Sequence, residues 1–361
     1  MNHEKSSIRV AVAADARYAP GLYCTVSSML LHLDPARAVT IHVLDGGIDS
    51  RDWQCLCRRG LQFHPRVAFD RIPLSPESFA GFHRHRTGSL LPYARLRLPS
   101  LLDAERVLYL DSDLFVGRDI GELWETDLNE CLVAAARDPL VRVLANDWPW
   151  PADPQVDLQA PYFNTGVLLM DLRGWRRERI EDRALEELRA APQQFRFWDQ
   201  TVLNPLLRGR VHWLPDFWNR FFWQADRAGF DDLRCILHFA AWTPWIEYAY
   251  SDGHRLYHRF MRISGFDREW RARGWRRSRI KRRLLLALAP WLPAYYRARA
   301  RVCVRQGHAD QARLFEQAAS DWVREGRRYR EARCNRRWNR TQIDRYLRDL
   351  RSLIRAREGE A

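Results

Sequence analysis

Two acids one residue apart, Asp111 and Asp113, are the side chains best placed to do chemistry. They close an apolar, β-prone run, Arg106-Val107-Leu108-Tyr109-Leu110, and a second such run, Leu114-Phe115-Val116, follows at once, which reads as strand, acidic knuckle, short strand. In extended chain residues i and i+2 face the same way. The two carboxylates therefore point together, with Cα atoms roughly 7 Å apart on a rise of about 3.3 Å per residue. Two like charges that close repel unless something positive lies between them, and carboxylate oxygens suit a hard divalent ion, so a metal or a bidentate base is implied. The bland alternative is an Asx-rich turn between strands. A phosphatase or mutase nucleophile loop also sets Asp-x-Asp after a strand, but it carries Thr or Val two positions beyond the second Asp, where Phe115 stands here.

Other candidates lie where strands end. Asp15 follows the apolar run Ile8 to Ala14, Asp138 follows Leu132 to Ala136, and His238 lies near the end of Cys235 to Phe239. Imidazole and two carboxylates together suit a manganese-like ion, although a strand-end histidine on its own is more often structural. Asp199 is placed to cap a helix that Val202, Leu203 and Leu206 continue. Asn164-Thr165-Gly166 bends into the buried run that follows, and glycine there lets backbone approach a ligand closely. Trp148 and Trp150, in a Pro- and Trp-rich loop from Asn146 to Pro161, are either sugar-stacking rings or pins for the loop.

The elements that must carry these residues alternate. Strand Ile8 to Ala14, helix Thr25 to Leu33, strand Val39 to Leu44, helix Asp49 to Arg59 and strand Val67 to Ile72 make β-α-β-α-β, the pattern of an α/β fold with a mostly parallel sheet. Ligands of such sheets sit at strand carboxyl ends, which puts Asp15 and the Asp111/Asp113 pair at one crevice. Further on, Ser89 to Leu102 reads as a helix in which Arg95 is a solvated charge or a site residue, and Trp175 to Ala190 reads as one amphipathic helix.

With 361 residues, 46% of them hydrophobic, the chain can build one large domain and an appendage. The net charge of +14 invites a nucleic-acid reading until it is divided. From Arg262 to Ala361 there are 28 basic and 11 acidic residues, so the chain before them is slightly acidic. No recognised nucleic-acid motif accompanies that charge, and nucleic acid is disfavoured as a partner. The segment before Ile8 is short and polar and does not read as a signal peptide, which implies a cytoplasmic start. Leu284 to Leu292 is about half the length of a membrane span. The seven cysteines show neither a disulfide framework nor paired zinc spacing.

Taken together, Ala13-Ala14-Asp15, Tyr93-Ala94-Arg95-Leu96, Tyr109-Leu110-Asp111-Ser112-Asp113, Phe163-Asn164-Thr165-Gly166-Val167, Asp199-Gln200-x-x-Leu203-Asn204, and His238-Phe239 ahead of Pro244-Trp245 resemble glycosyltransferase family 8. That group contains bacterial lipopolysaccharide and lipooligosaccharide α-galactosyl- and glucosyltransferases. The resemblance runs from about Arg9 to Trp245. It implies a GT-A fold, a Rossmann-like nucleotide-sugar domain, and a retaining, Mn2+-dependent transfer of glucose or galactose from a UDP-sugar to an envelope glycan or lipid-linked saccharide. By the same resemblance Asp111, Asp113 and His238 hold manganese. Ala13 and Asp15 contact uridine, and Arg95 and Ser112 belong to the donor site. Asn164, Asp199 and Asp138 meet the donor sugar or the acceptor, with Gln200 beside the anomeric carbon. Two departures stand out: Ala241 and Thr243 replace the family's Gly and Lys, and Thr201 replaces an Asp.

The expected organisation is a catalytic domain over residues 1–262 and a basic, Trp-containing α-helical region over residues 263–361. In the latter, Trp270, Trp275 and the bases from Arg271 to Arg283 adjoin the apolar run to Leu292, which suggests docking on an anionic membrane surface at the cytoplasmic face. Ala294 to Ala319, with Gly307 at its turn, resembles one tetratricopeptide-like hairpin. The alternative function is a weakly active or inactive nucleotide-sugar-binding protein that recruits partners through this tail.

Overall fold

The structure is a computed structural model that describes residues 7–82, 89–151, 154–191, 194–222, 233–240, 244–245, 252–266, 291–305, 315–317, 319–320, 323 and 340–360. The chain forms two compact units. One comprises Met1–Phe221, Asp232–Ala240 and Arg348–Ala361; the other comprises Phe222–Asp231 and Ala241–Leu347.

The first unit begins with β1 (Ile8–Ala14), α1 (Ala19–His32), β2 (Val39–Asp45), α2 (Ser50–Phe63) and β3 (Val67–Pro73). Then come α3 (Leu98–Leu101), β4 (Arg106–Leu110), β5 (Leu114–Val116), α4 (Gly121–Trp124), β6 (Val133–Arg137) and β7 (Phe163–Asp171). The remainder is α5 (Leu172–Arg177), α6 (Ile180–Ala190), α7 (Asp199–Leu206), β8 (Val211–Leu214), β9 (Arg220–Phe221) and β10 (Ile236–His238). A seven-stranded sheet has the order β3-β2-β1-β4-β7-β6-β8, and β5, β10 and β9 form a small second sheet. Every pairing in the large sheet is parallel except those of β7, which runs antiparallel to both β4 and β6. The expected mostly parallel α/β architecture is therefore present. β1 and β4 are near-continuous apolar runs because a parallel sheet covered on both faces leaves no solvated side.

Three boundaries differ from the sequence expectations for identifiable reasons. Helix α1 starts at Ala19, six residues before the expected Thr25, because Pro20 and Gly21 fall in the first turn, where a missing N–H costs nothing. Ser89 to Leu102 is not one α-helix: Leu91–Arg97 is a 3-10 helix that passes into α3, and each carries a proline, Pro92 and Pro99, in its first turn. The expected helix Trp175 to Ala190 is two helices, broken at Arg179 with φ of 52°, so that Trp175 and Ile180 are both buried. No 3.6-residue pattern announces a left-handed arginine.

The second unit contains α8 (Asp252–Ile263), α9 (Leu292–Arg305) and the start of α10 (Arg340–Glu360). Leu256, Tyr257, Phe260 and Met261 of α8 are buried, Trp245 lies 5.9 Å from the Tyr257 ring, and α8 is followed by Gly265 at φ 87°. Helix α9 is mostly exposed, burying only Ala300 and Cys303. No described helix is long and apolar enough to cross a membrane. The basic segment Trp270 to Arg283, the apolar run from Leu284 through Pro290, Ala241, Thr243 and the Gly307 turn lie outside the described residues.

Candidate active site

The parallel register sets Val12 opposite Leu110, so the chain leaves β1 and β4 at one edge of the sheet, where Asp15 and the acidic knuckle follow. Helix α1 holds the knuckle. Thr25 Oγ1 accepts the N–H of Leu114 at 3.0 Å and lies 3.2 and 3.3 Å from the carbonyls of Leu114 and Asp111, while Ser28 Oγ accepts the Val116 N–H at 2.9 Å. The sequence reading missed both hydroxyls. Their signal was two hydroxyl residues three apart, and so on one face, of a helix that is buried almost throughout.

From the knuckle Asp111 and Asp113 meet His238, whose strand β10 is antiparallel to β5 with His238 opposite Leu114. One ligand atom from each of the three lies within 4.8 Å of the others. His238 Nε2 is 3.2 Å from Asp113 Oδ1 and 3.7 Å from Asp111 Oδ2. Ligands at right angles around an ion at about 2.1–2.2 Å stand about 3 Å apart, so the set fits one small divalent cation. Asp111 divides its oxygens: Oδ1 accepts from Arg95 Nη2 at 2.8 Å and from Tyr109 Oη at 3.1 Å, and Oδ2 faces the histidine. Burial pushes Asp111 above the usual carboxylate range, with Arg95 opposing and Asp113 adding to the rise. Burial pulls His238 down, but Asp113 and Asp111 outweigh it and hold the imidazole above its ordinary pKa. Gly166 makes the convergence possible, since a Cβ there would lie 2.4 Å from His238 Cε1 and 2.9 Å from Asp111 Oδ2.

Arg95 is buried, which removes the solvated-charge reading. Its Nε donates to the Pro92 carbonyl at 3.1 Å and also lies 3.1 Å from Asp199 Oδ2, Nη1 donates to the Thr165 carbonyl, and the guanidinium stacks over the Tyr109 ring at 4.4 Å. One cation thus bridges half-buried Asp111 and buried Asp199. Asp199 does not cap α7 with its side chain; Trp198 occupies the cap position with φ of 55°, and the carboxylate turns inward, where burial lifts its pKa to about 6 against the pull of Arg95. Backbone at such a φ is strained for tryptophan and persists only where its surroundings hold it. Thr201, which stands where the family carries Asp, accepts the Phe197 N–H at 2.8 Å and so closes this turn.

Beside the acids lies a buried amide network. Gln200 Oε1 accepts from Thr165 N at 3.1 Å and Asn164 Nδ2 at 3.0 Å, and its Nε2 donates to Asp138 Oδ2 at 3.0 Å. Asp138 also accepts from Asn164 Nδ2 at 3.0 Å and, through Oδ1, from the N–H groups of Leu140 and Val141. All four lone-pair sites of that carboxylate are therefore used internally. Asn219, which the sequence analysis did not single out, joins the network to the Asp111, Asp113 and His238 group through His238 Nδ1 at 2.9 Å. Ser112 is buried between the two acids, and Ala13 is buried at the end of β1. Asp15 stands apart from these contacts: its Oδ1 accepts the N–H groups of Arg17 and Tyr18. Trp150 donates to Glu187 Oε2 and packs edge-on against Phe195, so it pins the loop, with Trp148 5.0 Å away.

The sequence pattern of Glycosyl transferase family 8 matches residues 9–246. General stress protein A of Bacillus subtilis (strain 168) is 28% identical over 217 residues, which are 59% of this chain and 73% of that protein. Lipopolysaccharide 1,2-glucosyltransferase of Escherichia coli (strain K12) is 27% identical over 222 residues, 60% of each chain. Among solved structures, the galactosyltransferase LgtC in complex with donor and acceptor sugar analogs superposes with a TM-score of 0.61 at 28% identity, covering 73% of this chain and 99% of that one.

Proposed function

The chain belongs to glycosyl transferase family 8 and has the GT-A fold of that likeness, and from this premise we propose that it moves glucose or galactose from a UDP-sugar, with Mn2+ and with retention of anomeric configuration, to an envelope glycan or lipid-linked saccharide. The observation that carries the reading is the convergence of Asp111, Asp113 and His238 at one strand edge. Mn2+ held there supplies positive charge where the departing diphosphate gathers negative charge. Ala13 and Asp15 lie at the carboxyl end of β1, which suits the uridine, and Ser112 belongs with them on the donor side.

In the transfer the bond between the anomeric carbon and the diphosphate oxygen breaks, the oxygen of an acceptor hydroxyl bonds to that carbon on the same face, and the hydroxyl proton leaves with the departing diphosphate. Arg95 holds Asp111 and Asp199 in place, and its charge opposes the rise that burial imposes on both carboxyls. We place Gln200 and Asp199 beside the anomeric carbon, with Asn164 and Asp138 on the sugar and acceptor side. The buried amide of Gln200, held through both its oxygen and its nitrogen, supports a preorganised surface rather than a mobile one. The other acid of this network among the described residues, Asp138, has its carboxylate engaged at all four sites, which argues against its serving as the base an inverting transfer needs.

We further propose that residues 1–262 carry catalysis and that residues 263–361 seat the protein on the cytoplasmic face of an anionic membrane. Helix α9 supports this: it contains no acid, carries Arg297, Arg299, Arg301 and Arg305, and exposes Tyr295, Val302 and Val304 beside Trp291, which is 75% exposed.

A panel of UDP-sugars tested for Mn2+-dependent hydrolysis and transfer decides the donor. EDTA abolishes turnover and Mn2+ restores it, and the anomeric proton of the product shows an α linkage. Full activity in Asp113→Asn, or a β-linked product, overturns the reading.

A further inference from the structure

Four buried side chains form a chain of hydrogen bonds with only one consistent direction. Asn164 Nδ2 donates to Asp138 Oδ2 at 3.0 Å, Asn219 Nδ2 donates to Asn164 Oδ1 at 2.8 Å, and His238 Nδ1 meets Asn219 Oδ1 at 2.9 Å. Which way an amide points is decided by what surrounds it. Here both ends of Asn164 are decided independently. An ionised carboxylate only accepts, so the Asn164 face toward Asp138 is its NH2 group. The backbone N–H of Gly166 only donates, and it lies 2.9 Å from the opposite face, which is therefore the oxygen. An oxygen facing Asn219 requires the NH2 group of Asn219, so the Asn219 oxygen faces His238. Nδ1 must then carry a proton. The neutral ring consequently turns its lone pair, on Nε2, toward Asp111 and Asp113, the orientation a metal ligand needs.

We infer that Asn219 is a positioning residue which, with its direction set by Asp138 through Asn164, fixes the His238 tautomer so that Nε2 is the metal-facing nitrogen. The inference rests on the reading of Asp111, Asp113 and His238 as metal ligands. It ties the sugar side of the pocket to the metal side, because the same Asp138 oxygen that starts the chain also receives Gln200 Nε2 at 3.0 Å. Asn219 has no charge and does not reach the acids itself. It acts through the imidazole alone.

The direct test needs no variant. Histidine 15N NMR of the wild-type protein at alkaline pH, with the His238 signal assigned by its loss in His238→Ala, shows protonated Nδ1 and bare Nε2; the reverse tautomer overturns the inference. The second test is Mn2+ binding in the presence of UDP, followed by electron paramagnetic resonance of the free ion. Asn219→Leu weakens binding about 10–100-fold, the usual size of an outer-shell effect, and has no further effect in a His238→Ala background. Wild-type affinity in Asn219→Leu, or an equal loss with and without His238, refutes the role of Asn219 while leaving the metal site standing. Unchanged Mn2+ binding in His238→Ala brings down the metal site and the inference with it.

Discussion

Replacing Gly166 by Ala adds one methyl group between two groups that must converge. Gly166 lies outside the left-handed region, so alanine meets no backbone strain and the effect is purely steric. The new Cβ would stand 2.4 Å from His238 Cε1, 2.8 Å from Nδ1 and 2.9 Å from Asp111 Oδ2. Carbon atoms prefer about 3.5–4.0 Å, so the imidazole must retreat by about 1 Å. Metal-ligand distances tolerate only about 0.2 Å. His238 is also held through Nδ1 by Asn219 and packed against Phe221 at 5.0 Å between ring centroids, so its retreat costs that hydrogen bond and packing as well. Overpacking of this kind costs about 1–3 kcal/mol, which lowers the melting temperature by several degrees in a unit of this size. The expected result is a folded, slightly destabilised protein whose Mn2+ affinity in the presence of UDP, measured by calorimetry, falls at least tenfold. Wild-type Mn2+ affinity in folded Gly166→Ala would show that His238 and Asp111 do not converge on one ion.

Thr25→Val keeps the shape of the α1 side chain and deletes the acceptor of the buried Leu114 N–H, which costs about 1–3 kcal/mol of stability and loosens the acidic knuckle. Equal melting temperatures for the variant and the wild type refute that role. In the second unit, burial of His254 lowers its pKa from 6.5 to about 3. The unfolded chain takes up that proton first, so the linked stability is complete above pH 6.5 and is lost progressively as pH falls toward about 3, amounting at most to several kcal/mol. Thermal unfolding between about pH 7.5 and about pH 5 checks this: His254→Gln should flatten the dependence, and an unchanged slope refutes it. For the membrane proposal, Trp291→Glu with Tyr295→Glu on the full chain should reduce flotation with anionic liposomes; undiminished flotation, or equal binding to zwitterionic vesicles, overturns it. Substitution is preferable to truncation because Arg357, near the end of α10, donates to the carbonyls of Leu30 and Phe63 at the carboxyl ends of α1 and α2.

Short-range patterning was enough to disclose the parallel sheet, because a strand covered on both faces must be apolar along its whole length, as Ile8 to Ala14 and Arg106 to Leu110 nearly are. It was also enough for the acidic knuckle, since alternation in extended chain turns Asp111 and Asp113 the same way within one element. The order of motifs likewise sufficed for the family. What a pattern cannot carry is a contact between residues far apart in the chain. Asn219 met His238 only when β9 came to lie beside β10. Arg95 stood open between a solvated charge and a site residue until folding set it between Asp111 and Asp199, and the Thr25 hydroxyl, at the expected start of a helix, found its partner only on meeting Leu114. Asp199 shows the division most plainly. Its residue type and position suit a helix cap, but burial and a guanidinium 3.1 Å away outweigh a local hydrogen bond, and they turn the carboxylate into the site.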